Sequence, residues 1–230
     1  MIDRTPIKFS VITIFPQMVE QVLSFGVIGK AIEKDLIALE TINPRDFSID
    51  KHNRVDDRPF GGGAGMVMMY DPLAATVDSL KQQDEKLRLS FLSPQGEKLN
   101  QNTVNNLAKQ KHIVLLCGRY EGIDQRFIDK YVDDEISLGD FVISGGELAA
   151  AVIIDAVARQ IPKVLGDEDS AKTDSFMHNT LGSPQYTRSV QLKTKGVPEV
   201  LLSGNHAKIA KWREQKALEI TELKRPDLLK

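Results

Sequence analysis

Disulfide chemistry has no foothold in this 230-residue chain: it holds one cysteine, Cys117, so no internal disulfide can form and a reducing compartment is expected. Cys117 ends an apolar run and reads as a buried, inert thiol. No apolar run is long enough to span a bilayer, and the opening MIDRTPIKFS has no apolar signal core; the expected location is the cytoplasm, with no membrane partner. The histidines His52, His112, His178 and His206 are scattered without the spacing of a metal site. RPFGGGAGMVMM, Arg58–Met69, lacks the Gly-Lys-Ser/Thr of a P-loop and follows charged residues instead of an apolar strand, so neither familiar nucleotide loop fits. Gly-x-Ser-x-Gly is missing, which removes the nucleophile elbow of acyl chemistry. Internal repeats and low-complexity tracts are absent as well.

What is present is an ordinary globular composition, 41% hydrophobic and 27% charged, in a chain long enough for one large domain with or without a small one. The net charge of −2 hides an asymmetry. Residues 1–174 carry 20 Lys+Arg against 27 Asp+Glu, while residues 175–230 carry 10 against 5. A basic tail on an acidic body is either a polyanion-binding portion or a lysine-rich solvated surface.

Strand and helix patterns alternate along the body. Ile7–Phe15, IKFSVITIF, reads as a strand stopped by Pro16, and a helical stretch follows. Leu36–Ile42, Leu87–Leu92 and Ile113–Leu116 read as further strands, with extended chain again in Glu135–Ile143. Asp71–Gln83, Asn100–Gln110 and Asp124–Lys130 read as helices between them. Such alternation predicts an α/β fold with a mostly parallel sheet covered on both faces. Ser144-Gly-Gly-Glu147 has the spacing of a capping box, opening an apolar helix Leu148–Ile161 that Pro162 ends. Gly166–Asp174 is polar and aperiodic and reads as a flexible linker. In the tail, Gly204-Asn205 supplies a break and a cap for a helix on which Ile209, Trp212 and Ile220 share one face and Lys208, Lys211 and Gln215 another.

Three glycine-bearing loops follow strands: FLSPQG (Phe91–Gly96), CGRYEG (Cys117–Gly122) and SLGDFVISGGEL (Ser137–Leu148). In open α/β sheets ligands bind beyond the carboxyl ends of the strands, where loops expose unused backbone groups. One such loop is usually a mere turn; three converging ones predict a ligand site. Gly61–Gly65 is either a surface hairpin or a loop that approaches a substrate.

DDRPFGGGAGMVMM, LSPQG, CGRYEGID, SLGDFVISGGEL, DAVARQIPKVLG, DSF, YTR and VPEVLLSGNHAKIAKWR, in this order, closely resemble the bacterial tRNA (guanine-N1)-methyltransferases that act at guanine 37. That resemblance spans nearly the whole chain. It implies a SPOUT-type α/β fold with a C-terminal trefoil knot, which connection rules alone would have argued against. It implies a methyltransferase domain at 1–165 that binds S-adenosylmethionine, a linker at 166–174 and a small, mainly helical, basic tRNA-binding domain at 175–230. A homodimer with active sites shared between subunits, and dependence on Mg²⁺, are implied too.

Carried over residue by residue, the donor site would be Leu92, Ser93, Pro94, Gly96, Gly118, Tyr120, Glu121, Gly122, Ser137, Leu138, Gly139, Phe141, Ile143, Gly145 and Gly146. Asp174 takes the place of the general base that removes the N1 proton, and Arg159 that of the cation stabilising charge on guanine O6. Read without the resemblance, Asp174 is a helix N-cap, Arg159 a cation complementing a helix dipole, and Arg119 and Glu121 an exposed turn ion pair. Asp56, Arg58 and Gly65 would approach the anticodon bases, and Arg188, Lys208 and Lys211 the phosphates, with Lys193, Lys195, Arg213 and Lys216. Ala149 stands where relatives often have proline, and Phe91 and Phe141 where many have tyrosine. A SPOUT enzyme acting on another base or a ribose 2′-oxygen, or a noncatalytic RNA-binding module, is the alternative reading.

Overall fold

In the computed structural model, which describes residues 6–230, the first strand is β1 (Ile7–Ile12). It stops three residues before the predicted end. Thr13 turns the chain there: its hydroxyl accepts a hydrogen bond from the Phe15 amide at 2.9 Å, and Pro16 opens α1 (Pro16–Leu23) at a position where its missing N–H costs nothing. Then follow α2 (Gly26–Glu33), β2 (Ile37–Ile42), a 3₁₀ turn at Pro44–Phe47, and a short antiparallel pair, β3 (Asp56–Asp57) with β4 (Val67–Met68). After these come α3 (Tyr70–Gln83), β5 (Leu89–Lys98), α4 (Gln101–Leu107), β6 (His112–Cys117), α5 (Gln125–Tyr131), β7 (Asp134–Ser137) and α6 (Gly146–Ala158).

The five long strands form one sheet in the order β2-β1-β6-β5-β7, with every pairing parallel, as the alternating pattern predicts. Successive side chains point to opposite faces, and both faces are covered. Phe9, Val11, Ile113 and Leu115 pack with Ile153, Ile154 and Val157 of α6 on one side. Ile12, Leu89, Val114 and Leu116 pack with Leu73 and Val77 of α3 and Phe127 of α5 on the other. Burying each such side chain contributes about 1.5–3 kcal/mol, and this double core fixes the strand ends that carry the loops.

Two expectations about this region change. β5 runs past Leu92 to Lys98 because its ladder with β7 breaks and resumes: Leu92 and Glu97 both pair with Ile136, so Ser93–Gly96 bulges out between them. The capping box does not form. Gly145 takes the cap position without a side-chain hydrogen bond, and α6 begins at Gly146 and ends at Ala158, inside the predicted Ile161.

The chain divides into two compact units, Met1–Gly166 and Asp167–Lys230. The second contains α7 (Glu168–Lys172), α8 (Glu199–Leu202), α9 (His206–Lys224) and a 3₁₀ turn at Pro226–Leu229. The stretch read as a flexible linker thus holds a short helix; its lack of apolar periodicity does not prevent one turn built of good helix formers such as Ala171 and Lys172. Asn205 caps α9 as predicted, its side chain accepting from the Lys208 amide at 3.1 Å. Among the described residues of this unit, Thr221 alone has a buried side chain. Its hydroxyl accepts from the Leu181 amide at 2.8 Å and donates to the Ala217 carbonyl at 2.6 Å.

Candidate active site

Because β5, β6 and β7 run parallel, their carboxyl ends share one rim, and the three glycine-bearing loops meet there around a cleft of about 280 Å³. Every residue carried over to the donor site lines this cleft except Gly96. Gly96 instead lies in the resumed part of β5, where a Cβ would strike the backbone of Glu135 and Ile136, so its smallness serves strand contact. The lining also includes Phe91, Arg119, Ile136, Val142, Ser144 and Ala149. The walls are therefore apolar rings and aliphatic chains interrupted by backbone amides and carbonyls, with Arg119, Tyr120 and Glu121 as ionisable groups.

Local sequence explains the shape. Gly122 and Gly139 hold φ of +130° and +149°, which a side chain would strain. Gly146 donates its amide to the Gly118 carbonyl at 3.0 Å, and a Cβ on it would lie 2.6 Å from Cys117 Cα; α6 therefore docks directly on the end of β6. Burial, helped by the Glu147 charge, holds the Cys117 thiol well above its ordinary pKa, so it is inert beneath the cleft.

Behind the cleft lies a group of interactions that the sequence reading did not foresee. Arg119 does not pair with Glu121. Its Nε donates to Glu147 Oε2 at 2.8 Å, its Nη1 to the Ser144 carbonyl at 3.1 Å, and its guanidinium lies over the Phe15 ring at 4.6 Å. Glu147 is buried, and the Thr13 hydroxyl donates to its Oε1 at 2.7 Å, so each carboxylate oxygen has a partner. The ends of β1 and β6 and the start of α6 are thereby tied by one ion pair whose carboxylate is buried and whose guanidinium is largely so. Gly145 is part of the same arrangement, since the Arg119 side chain fills the place of its Cβ. The clue in the sequence was a glutamate three residues after Ser144 in a mostly apolar helix, and local spacing alone assigned it to a cap.

The Asp56–Met69 segment is fastened to this rim by its backbone. Glu121 donates to the Met66 carbonyl at 2.9 Å, Met68 to Gly122 at 2.9 Å and Asp124 to Met68 at 3.0 Å. Gly65 lies against Glu121: a Cβ would fall 2.6 Å from its Oε1. Burial raises the Tyr120 hydroxyl's pKa, and Asp56 beside it raises it further, against an opposing Arg45. Asp56 and Gly65 are thus at the cleft's edge, while Arg58 is exposed, with its amide donating to Asp57 at 2.8 Å.

Arg159 is not brought to this cleft. It is the C-cap of α6, whose first turn lines the cleft, and 13 residues at 1.5 Å each put it about 20 Å along the helix. In the second unit Asp174 follows α7 and leads into a run of turns, and the next helix begins only at Glu199, so Asp174 does not stand at a helix N-cap. Lys208 and Lys211 are exposed on α9, and Arg188 lines a second cavity of about 250 Å³ within that unit. Among the described residues no group of three or more His, Cys, Asp or Glu is placed to hold a metal ion.

The family model described as tRNA (Guanine-1)-methyltransferase TrmD matches residues 7–230. The tRNA (guanine-N(1)-)-methyltransferase of Halorhodospira halophila is 52% identical over 223 residues, covering 96% of this chain and 84% of the relative. That of Buchnera aphidicola subsp. Acyrthosiphon pisum is 48% identical over 229 residues, covering 99% and 97%. That of Vibrio vulnificus is 51% identical over 220 residues, covering 95% and 88%.

Proposed function

From the premise that the chain belongs to the tRNA (Guanine-1)-methyltransferase family, and is therefore an enzyme that methylates tRNA, we propose that it transfers the methyl group of S-adenosylmethionine to N1 of guanine 37. The observation that carries this reading is the meeting of three strand-end loops on one cleft of about 280 Å³. Backbone groups of Gly118, Leu138 and Gly145 would hold the donor's polar edges, and Phe91, Leu92 and Ile143 its apolar ones. When bound there, the donor supplies a methyl group made electrophilic by the sulfonium it is attached to.

Guanine N1 carries a proton and offers no lone pair until that proton leaves. Asp174 takes it as general base, the freed electron pair forms the bond to the methyl carbon, and the carbon–sulfur pair stays on sulfur. Arg159 stabilises the negative charge that grows on O6. The cleft's contribution is alignment, which alone is worth several kcal/mol of barrier. Arg159 lies far along α6 from its own cleft, which supports an active site completed by a second copy. Exposed Val22 and Phe25, with Leu148 and Val152 on the adjoining α6, supply an apolar face for that homodimer.

The basic tail, residues 175–230 within the second unit and beyond the stretch 166–174, would bind tRNA through Arg188, Lys208 and Lys211, with Asp56, Arg58 and Gly65 near the anticodon bases. The methyltransferase domain, residues 1–165, would be threaded as a SPOUT-type trefoil knot. β7 sits at the sheet edge, yet the chain returns past the Ser93–Gly96 bulge to dock Gly146 on β6. No helix among the described residues is long and apolar enough to cross a membrane, and a tRNA substrate favours the cytoplasm. Mg²⁺ dependence carries no step here, because no protein cluster fits a metal among the described residues.

The test is labelled methyl transfer into unmodified tRNA transcripts carrying guanine or adenine at position 37. Transfer to the guanine transcript alone is expected. Asp174→Ala should abolish it while calorimetry still detects donor binding; undiminished transfer would remove Asp174 from the mechanism.

A further inference from the structure

The second cavity shares no lining residue with the cleft proposed for the donor, and its lining has a definite chemistry. Arg188, Lys193 and Arg213 supply three cations, and no Asp or Glu among the described residues lines it. Val197, Leu201 and Ile209 give it an aliphatic floor, drawn from the turn before α8, from α8 itself and from α9. Tyr186 forms part of the wall, its ring half exposed and 6.4 Å from that of Trp212. Lys193 is held at φ +50°, a conformation that non-glycine residues seldom adopt, with its amide fixed to the Ser189 carbonyl at 2.9 Å.

A patch that met only phosphates would need no apolar floor. A groove for an apolar peptide would have no use for three cations in its lining. A ligand that is anionic at one end and flat and apolar at the other satisfies both halves, and unstacked nucleotides of single-stranded RNA have that character: bases stack on aromatic rings or guanidinium planes while cations meet the phosphate. We propose that this cavity seats one unstacked nucleotide of the RNA substrate, other than the methylated guanosine, with its base over the aliphatic floor beside Tyr186 and its phosphate among Arg188, Lys193 and Arg213. The proposal rests on the tRNA reading above and adds a second point of base contact in the tail unit.

Steady-state methylation at varied salt separates it from a plain electrostatic patch. Tyr186→Ala should raise the KM for tRNA about tenfold, within the range seen when one stacked base is lost, with the salt dependence of KM unchanged. Tyr186→Phe should stay near wild type. Val197→Phe, which fills the cavity and deletes nothing, should also raise KM. Arg213→Ala should raise KM and reduce the slope of log KM against log salt by about one. If Tyr186→Ala and Val197→Phe leave KM for tRNA unaltered, the pocket is not used and the proposal falls, while methyl transfer itself stands.

A direct titration is independent of turnover. Trp212 is the chain's one tryptophan, so its fluorescence reports on the neighbouring Tyr186. A uridine pentanucleotide should change it saturably in the wild type and not in Val197→Phe. Inorganic phosphate at equal charge should leave it unchanged; an equal response to phosphate, or none to the pentanucleotide, overturns the assignment. Loss of methyl transfer in the wild type would instead count against the activity reading and leave this titration to decide the pocket.

Discussion

The two units are built on opposite principles. Met1–Gly166 wraps a parallel sheet in two apolar cores, and the loops at its rim are held from behind by the buried Arg119–Glu147 pair. Asp167–Lys230 has no buried apolar side chain among its described residues, and its one buried polar side chain, Thr221, joins Leu181 to α9. A donor cleft needs walls fixed before the ligand arrives, because alignment is its main contribution. A surface that grips a large polyanion can draw part of its stability from what it binds, since a ligand bound only to the folded form stabilises it by mass action.

The largest expected effect tests the rigid side of that contrast. Arg119→Ala leaves Glu147 out of water without its cationic partner, and breaking one partner of a buried pair costs about 3–5 kcal/mol. Urea unfolding followed by circular dichroism should show that loss, and donor affinity should fall with it. A cost below about 1 kcal/mol, the range of exposed pairs, would mean the rim is as loosely held as the tail.

A smaller effect is expected from Thr221→Val, which strands the Leu181 amide. Losing a partner to a fully buried donor costs about 1–3 kcal/mol, and Leu181 is half-buried, so the loss should lie at the lower end. The loss should appear as lowered protection of the tail unit in amide exchange, with the first unit's core unchanged. Equal loss of protection in both units would show that they unfold as one, and the contrast would fail.

The smallest effect is one of pH. His112 lies in β6 with its Nε2 2.9 Å from the Ser10 hydroxyl, near Lys8, Glu40 and Asp84. Burial, and then the Lys8 charge, hold its pKa below the ordinary value, against the opposing Asp84 and Glu40. Its contribution to stability is therefore complete above the unfolded pKa of about 6.5 and lost as pH falls from there towards the folded value. Lys8 lowers the Glu40 pKa, so that group also loses stabilisation on acidification, at lower pH. The urea midpoint should fall between pH 7.5 and 5.5, and His112→Asn should reduce the fall. A midpoint that rises on acidification would contradict the burial of a neutral imidazole.

Much of the first unit was legible because its signals are local. β-Branched runs alternating with helical patterns specify parallel strands, and glycines after Leu92, Cys117 and Ser137 mark where the backbone must turn. What escaped depends on residues distant in the chain. Ser144 and Glu147 have capping-box spacing, but the close docking of Gly146 on Cys117 moves the helix start, and Glu147 spends its carboxylate on Arg119 and Thr13. The bulge in β5 was hidden because Glu97 and Lys98 rejoin β7 after a segment that reads only as a turn. The second cavity is invisible in sequence: Val197, Leu201 and Ile209 belong to different segments and make a floor only when folded. The residues proposed to hold the donor were named individually by family resemblance; spacing alone pointed to the loops.

The central claim is that the rigid cleft of the first unit holds the methyl donor. A crystal structure with S-adenosylmethionine bound measures this directly. The account predicts the donor enclosed by the loops at Leu92–Pro94, Gly118–Gly122 and Ser137–Gly146, with its methyl facing open solvent or RNA; a donor found instead among Tyr186, Arg188 and Arg213 of the tail unit would contradict it.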